Sequence, residues 1–227
     1  MNSSGPLNSR HIYKVAILVD WDNVRNVVFN KEKLKSAGFD NYIDYNRDAK
    51  QVVEFFKSSL NENEEIYRIY VYTAVPPEKI RVKNRELLVN RDDEEIRQLH
   101  KSYPEIHNNS SQFVRKIMRE DFIAVRLGRV AIRLVKDGII LEQKQVDMLI
   151  GLDIAHLSYN KLVDRIIIFS YDSDMVPALK TARINGIQIV LPLIDRVVCN
   201  VNEELLEHTD IIRHLDYRQI VSRIREL

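Results

Sequence analysis

Arg165-Ile166-Ile167-Ile168-Phe169-Ser170-Tyr171-Asp172-Ser173-Asp174-Met175-Val176-Pro177-Ala178-Leu179 is the stretch whose reading decides the fold. Ile166 to Phe169 is an unbroken apolar run of the length of a strand buried on both faces, and it stops at a polar cluster that opens a helical pattern. Two carboxylates, Asp172 and Asp174, therefore sit where a strand ends. In open α/β sheets ligands bind outside the carboxyl ends of the strands, so both acids are placed for chemistry. The plainer reading is that Asp172 or Ser173 caps the helix, since Asp and Ser are favoured there.

The same pattern occurs near the start of the chain. Tyr13 to Val19 is a β-branched apolar run that ends in Asp20-Trp21-Asp22-Asn23, after which Val24, Val27 and Val28 give a short helical face. Lys31 to Asn46 reads as loop with some helix. Asp48 to Leu60 carries Val52, Val53, Phe55, Phe56 and Leu60 at helical spacing, and Glu65 to Thr73 alternates as a second strand. Strand, helix and strand in this order imply a parallel pair with a right-handed crossover.

Pro76-Pro77 breaks the pattern and opens an insertion of about 76–135. Its first part is the most basic in the chain, with Lys79, Arg81, Lys83, Arg85 and Arg91. Such a run is usually a solvated helix face; the functional alternative is a rim that contacts phosphates. Asp92 to Lys101 and Ser110 to Arg119 read as two helices separated by a loop around Pro104 to Asn109. Phe122 to Leu127 and Val130 to Val135 read as a hairpin turning at Gly128-Arg129. Glu142 to Tyr159 reads as a helix with Val146, Leu149, Ile150 and Leu157 on one stripe. Asp153 falls inside that stripe and Asp147 at its edge. A carboxylate on an apolar face must be paired, hydrogen-bonded, metal-bound or protonated. Asp153 is therefore read as an anchor to a neighbouring backbone turn, and Asp147 as the acid better placed to face a cleft. Beyond the opening stretch come a helix through Arg183, a strand Ile187 to Leu191 ended by Pro192, a helix Asn202 to Glu207, a short edge strand Ile211 to Leu215 and a closing helix Tyr217 to Arg225.

The bulk properties narrow the classes. With 227 residues, 45% hydrophobic content and a formal net charge of +1, the chain suits one large α/β domain, 11–227, after a flexible lead-in at 1–10. A near-neutral balance excludes bulk electrostatics as the main route to nucleic acid. No apolar run approaches the roughly 18 residues of a membrane span, and Met1 to Arg10 lacks a signal-peptide core, so the expected location is cytoplasmic, with no membrane partner. A single cysteine, Cys199, rules out an internal disulfide and any thiolate metal cluster.

If Lys14 to Val19 and Ile166 to Phe169 are parallel neighbours, Asp20, Asp172 and Asp174 converge at one sheet edge, with Asp147 approaching from the preceding helix. Carboxylates at roughly 4 Å repel by about 4 kcal/mol per pair at an effective dielectric near 20, so such a cluster needs a counter-charge. All-oxygen ligation without His or Cys selects a hard divalent ion, Mg²⁺ or Mn²⁺.

Asp20-Trp21-Asp22-Asn23 after the first strand, Lys144-Gln145-Val146-Asp147 with Asp153 on a helix, and Ser170-Tyr171-Asp172-Ser173-Asp174-Met175-Val176-Pro177 after a later strand resemble the three motifs of NYN domains. These are PIN-like ribonucleases that include the bacterial LabA-like group, and the resemblance runs from about Lys14 to Leu193. It implies a PIN-like Rossmannoid three-layer sandwich with a mostly parallel central sheet. It also implies a metal-dependent endoribonuclease acting on single-stranded or loop regions of RNA. The metal-binding acids would be Asp20, Asp147, Asp172 and Asp174, with Asn23 positioning a ligand or water and Lys144 near the RNA backbone. Apart from the resemblance, Ser170, Tyr171, Trp21, Arg81, Lys83 and Arg85 are further candidate RNA contacts. The family commonly has glycine where Trp21 and Tyr171 stand. Either aromatic would serve as a stacking platform, a contact that contributes about 1–3 kcal/mol per base, though plain packing is the preferred reading for both. The rivals are a haloacid-dehalogenase-type phosphatase, which shares an Asp-x-Asp after a strand but gives Asp147 no role, and a catalytically silent domain that binds RNA or protein. The apolar hairpin would also permit self-association into a homo-oligomer.

Overall fold

The computed structural model describes residues 11–78, 93–135, 138–195, 197 and 201–226. The lead-in 1–10, the basic residues Lys79, Arg81, Lys83, Arg85 and Arg91, and Cys199 lie outside the described residues. Strand β1 (Tyr13–Asp20) is followed by helices α1 (Trp21–Val28), α2 (Lys31–Ser36) and α3 (Ala49–Lys57), then β2 (Glu64–Thr73) and α4 (Asp93–Ile117). Strands β3 (Ile123–Leu127), β4 (Arg129–Val135) and β5 (Gly138–Lys144) come next, then α5 (Val146–Tyr159) and β6 (Arg165–Phe169). A 3-10 turn, Ser173–Met175, leads into α6 (Val176–Ile184), and β7 (Gln188–Ile194), α7 (Glu203–Glu207), β8 (Ile211–Leu215) and α8 (Tyr217–Arg225) complete the chain.

Six strands form one parallel sheet in the order β3-β2-β1-β6-β7-β8. β1 lies at its centre, and Val15, Ala16, Ile17, Leu18 and Val19 are all 0% exposed, which is why that run is apolar at every position rather than at alternate ones. Its odd-numbered side chains pack with α1, α2, α3, α4 and α8; Ala16 and Leu18 pack with α5, α6 and α7. The molecule is therefore a three-layer α/β sandwich of the PIN-like kind. Among the described residues no helix is long and apolar enough to cross a membrane.

Three expectations are corrected. The two helices predicted on either side of Pro104 are one, α4, with the proline inside it. An interior proline forfeits a backbone hydrogen bond, but a single buried stripe continues through it, with Tyr103 on one side and Phe113, Val114 and Ile117 on the other. The predicted hairpin is also different. β3 joins the main sheet beside β2, and the antiparallel partner of β4 is β5, a strand in a stretch whose last residues were read as the start of the next helix. Gly128 is the switch point between the two sheets rather than a turn tip. A Cβ there would stand 2.6 Å from the Lys144 carbonyl oxygen and 2.9 Å from Val146 Cγ2, so only glycine lets the chain pass the base of the hairpin. Finally, β7 continues through Pro192. Pairing with β6 stops at Val190, and the proline's carbonyl accepts from the Tyr171 hydroxyl at 3.2 Å, so the missing N–H faces a flank where no ladder needs it.

Candidate active site

β1 and β6 are parallel neighbours in register from Val15↔Arg165 to Val19↔Phe169, so the polar residues that follow each strand emerge side by side. Each run ends the same way. Asp20 caps α1, its Oδ1 accepting from the Asn23 N–H at 3.3 Å, and Asp172 caps the 3-10 turn, its Oδ1 accepting from the Asp174 N–H at 3.1 Å. Capping and function are thus not alternatives here. Each cap occupies one carboxylate oxygen, and the second makes no hydrogen bond among the described residues.

By strand alternation Asp20 shares a face with Ala16 and Leu18, the face covered by α5. Asp147, in the first turn of α5, is an electrostatic neighbour of Asp20, Asp172 and Asp174. Asp20 is 8% exposed, and its carboxyl is pushed up to about 7, first by loss of solvent and then by Asp147, Asp22 and Asp172, against a lowering by the Asn23 N–H. Asp147 is exposed, and its carboxyl is also raised, by partial loss of solvent first and then by Asp172 and Asp174. No Lys, Arg or His among the described residues pairs with any of the four.

The donor set fits a hard divalent cation: it is all oxygen, desolvated at Asp20, and without a counter-charge among the described residues. The side chains stop short of a finished ligand shell, since among the described residues no three Asp, Glu, His or Cys groups stand close enough to hold an ion as they are. Repulsion between uncompensated carboxylates favours that spread arrangement.

Asp153, further along α5, is an anchor, but to side chains rather than a backbone turn. Its Oδ2 accepts from the Tyr72 hydroxyl and from Arg126 Nε, both at 2.9 Å, and these donors come from β2 and β3. Arg126 stands in a plain strand alternation, so nothing in the sequence singled it out.

The other predicted residues divide. Asn23 ties the first motif to the third, its Oδ1 accepting from the Tyr171 N–H at 3.2 Å. Ser170 is 1% exposed and receives the Asp172 N–H on its hydroxyl at 3.4 Å, which places it under the loop and out of reach of RNA. Trp21 is 2% exposed and stacks on Phe113 with ring centres 4.1 Å apart, so one indole face is already covered and it is no open platform for bases. Tyr171 is half-buried against both cores, with its hydroxyl committed to Pro192. Lys144 is exposed at the end of β5 and ion-paired to Glu142.

The NYN domain family matches residues 14–216, nearly the whole chain, and this chain belongs to that family of PIN-like, nuclease-type domains. A solved structure, a protein of unknown function from Vibrio parahaemolyticus, is similar at 19% identity and a TM-score of 0.45, covering 92% of this chain and 97% of that one. No curated protein matches.

Proposed function

We propose that the chain is a metal-dependent endoribonuclease that hydrolyses RNA phosphodiester bonds at the junction of β1, β6 and α5. The observation that supports this most is Asp147. It comes from a separate segment, yet it is an electrostatic neighbour of Asp20, Asp172 and Asp174, and among the described residues no cation pairs with any of the four. A phosphatase of the haloacid-dehalogenase type leaves that carboxylate without a role. When bound, Mg²⁺ or Mn²⁺ supplies Lewis acidity toward the phosphodiester and the attacking water.

The chain's own residues then have distinct duties. Asp20, Asp147, Asp172 and Asp174 would hold the ion, and the caps at Asp20 and Asp172 fix one oxygen of each carboxylate. Asp20 would bind it as the carboxylate, giving up a proton that burial makes it hold more tightly than a free carboxyl does. Asn23 is a positioning residue that locks the two strand ends together through Tyr171. Lys144 and the basic residues Arg81, Lys83 and Arg85 contact the RNA backbone as sequence-independent cations.

Asp172→Asn tests the reading. Mn²⁺-dependent RNA cleavage is expected to fall by about a thousandfold or more, with circular dichroism and RNA affinity nearly unchanged. Unaltered turnover in that variant sinks the proposal. Hydrolysis of a simple aryl phosphate, lost in Asp20→Asn, would transfer the chain to the phosphatases.

A further inference from the structure

Beside α1 lies a cavity of about 480 Å³, lined also by α4 and the β4–β5 hairpin. Its size is in the range of small-molecule sites. Trp21 and Phe113, stacked on each other with Tyr45 edge-on to both, bring ring edges rather than open faces to its wall, and Val130 and Leu141 of the hairpin also line it. Among its lining residues there is one acid, Asp22, and one cation, Arg25. Asp22 Oδ1 holds Arg25 Nη2 at 2.7 Å, while Oδ2 is shielded from solvent and has no hydrogen-bond partner among the described residues. A buried acceptor without a donor is uncommon enough in native proteins to call for an explanation.

We infer that this cavity seats one unpaired guanine of the RNA, read by the carboxylate of Asp22. The inference rests on the ribonuclease reading for the polymer, though not for the chemistry. Guanine alone presents two adjacent N–H donors, N1–H and N2–H, on its pairing edge, and these match the two oxygens of a carboxylate. Uracil sets one N–H between two carbonyls, which a carboxylate repels; adenine and cytosine offer one amino group each. Arg25 is then released toward the adjoining phosphate, which frees the carboxylate to turn into the cavity. Asp22 stands two residues after Asp20, so a base held there brings its own phosphate next to the acidic cluster. The insertion thereby acquires a purpose: α4 and the hairpin enclose the specificity pocket.

Trp21 is the only tryptophan in the chain and lines the cavity, so its fluorescence reports occupancy directly. Titration with GMP, AMP, CMP and UMP in EDTA is expected to give saturable quenching by GMP, with binding at least about tenfold tighter than for the other three. Asp22→Asn is expected to reduce GMP to the level of AMP with circular dichroism unchanged. Arg25→Gln, which breaks the same ion pair but keeps the carboxylate, is expected to retain the preference. No saturable response to GMP, equal binding of all four, or loss of preference in Arg25→Gln as complete as in Asp22→Asn overturns the inference. RNA cleavage by a chain blind to GMP would remove the pocket and leave the nuclease standing; a GMP response in a chain that cleaves nothing would do the reverse.

Discussion

Two carboxylates on one helix, Asp147 and Asp153, meet opposite fates. Both stand on or beside the apolar face that α5 turns to the sheet, and both had to be accounted for. Asp153 is given two donors, the Tyr72 hydroxyl and the Arg126 guanidinium. Among the described residues, Asp147 is given only like charges, Asp20, Asp172 and Asp174. A side chain kept for architecture is satisfied within the fold, whereas one kept for a guest is left wanting. Leaving carboxylates unsatisfied costs stability, and a fold retains such a cost where an absent ligand removes it.

That contrast can be broken or sharpened by measurement, most strongly through pH. Folding raises the Asp20 carboxyl from 3.8 to about 7, so the folded, ion-free chain holds this proton more tightly than the unfolded chain. The contribution of this group to stability should therefore be full below about pH 4, fall as pH rises toward 7 and level off above it. The upper bound is on the order of 4 kcal/mol at about 1.36 kcal/mol per unit. Thermal unfolding in EDTA between pH 5 and 8 should show the decline, Asp20→Asn should flatten it, and Mn²⁺ should restore stability at pH 8. A wild-type Tm that rises across this range would contradict the desolvated Asp20.

The next effect belongs to the satisfied end of α5. Asp153→Ala strands the Tyr72 hydroxyl and the Arg126 guanidinium, and Arg126 is 41% exposed, so solvent screening lowers the loss from that of a fully buried pair to about 2 kcal/mol. Urea unfolding measures it. Cleavage per folded molecule should hold; if Asp153→Ala lost cleavage as completely as Asp172→Asn while still folded, the division between the two ends would fail. Smaller still, Tyr72→Phe removes one of the two donors and should cost about 1 kcal/mol by the same urea measurement.

The sandwich and its acids were legible because their signals are local. Apolar runs at Tyr13 to Val19 and Ile166 to Phe169 mark strands buried on both faces, and the Asp residues follow at the strand ends. The insertion was misread because its cues conflict. Ile139, Ile140 and Leu141 are strand-like, yet Glu142, Gln143 and Lys144 suit a helix start, and Asp137-Gly138, a favoured hairpin dipeptide, was the overlooked signal. Pro104 and Pro192 looked like stops, but long-range packing overrode the first, and the end of the β6 ladder at Val190 left the second no hydrogen bond to supply on that flank. Nothing local announces the cavity beside Trp21, since its walls come from segments far apart in the chain. The donors to Asp153 were hidden for the same reason.

The most direct test is Mn²⁺ binding, followed by electron paramagnetic resonance at pH 8 in the wild type, Asp147→Asn and Asp153→Asn. Asp147→Asn is expected to weaken binding by about tenfold or more, whereas Asp153→Asn, held below its own unfolding temperature, should bind the ion as the wild type does. Equal affinity in the wild type and Asp147→Asn would show that this carboxylate does not share the ion with Asp20, Asp172 and Asp174, and would contradict the account at its centre.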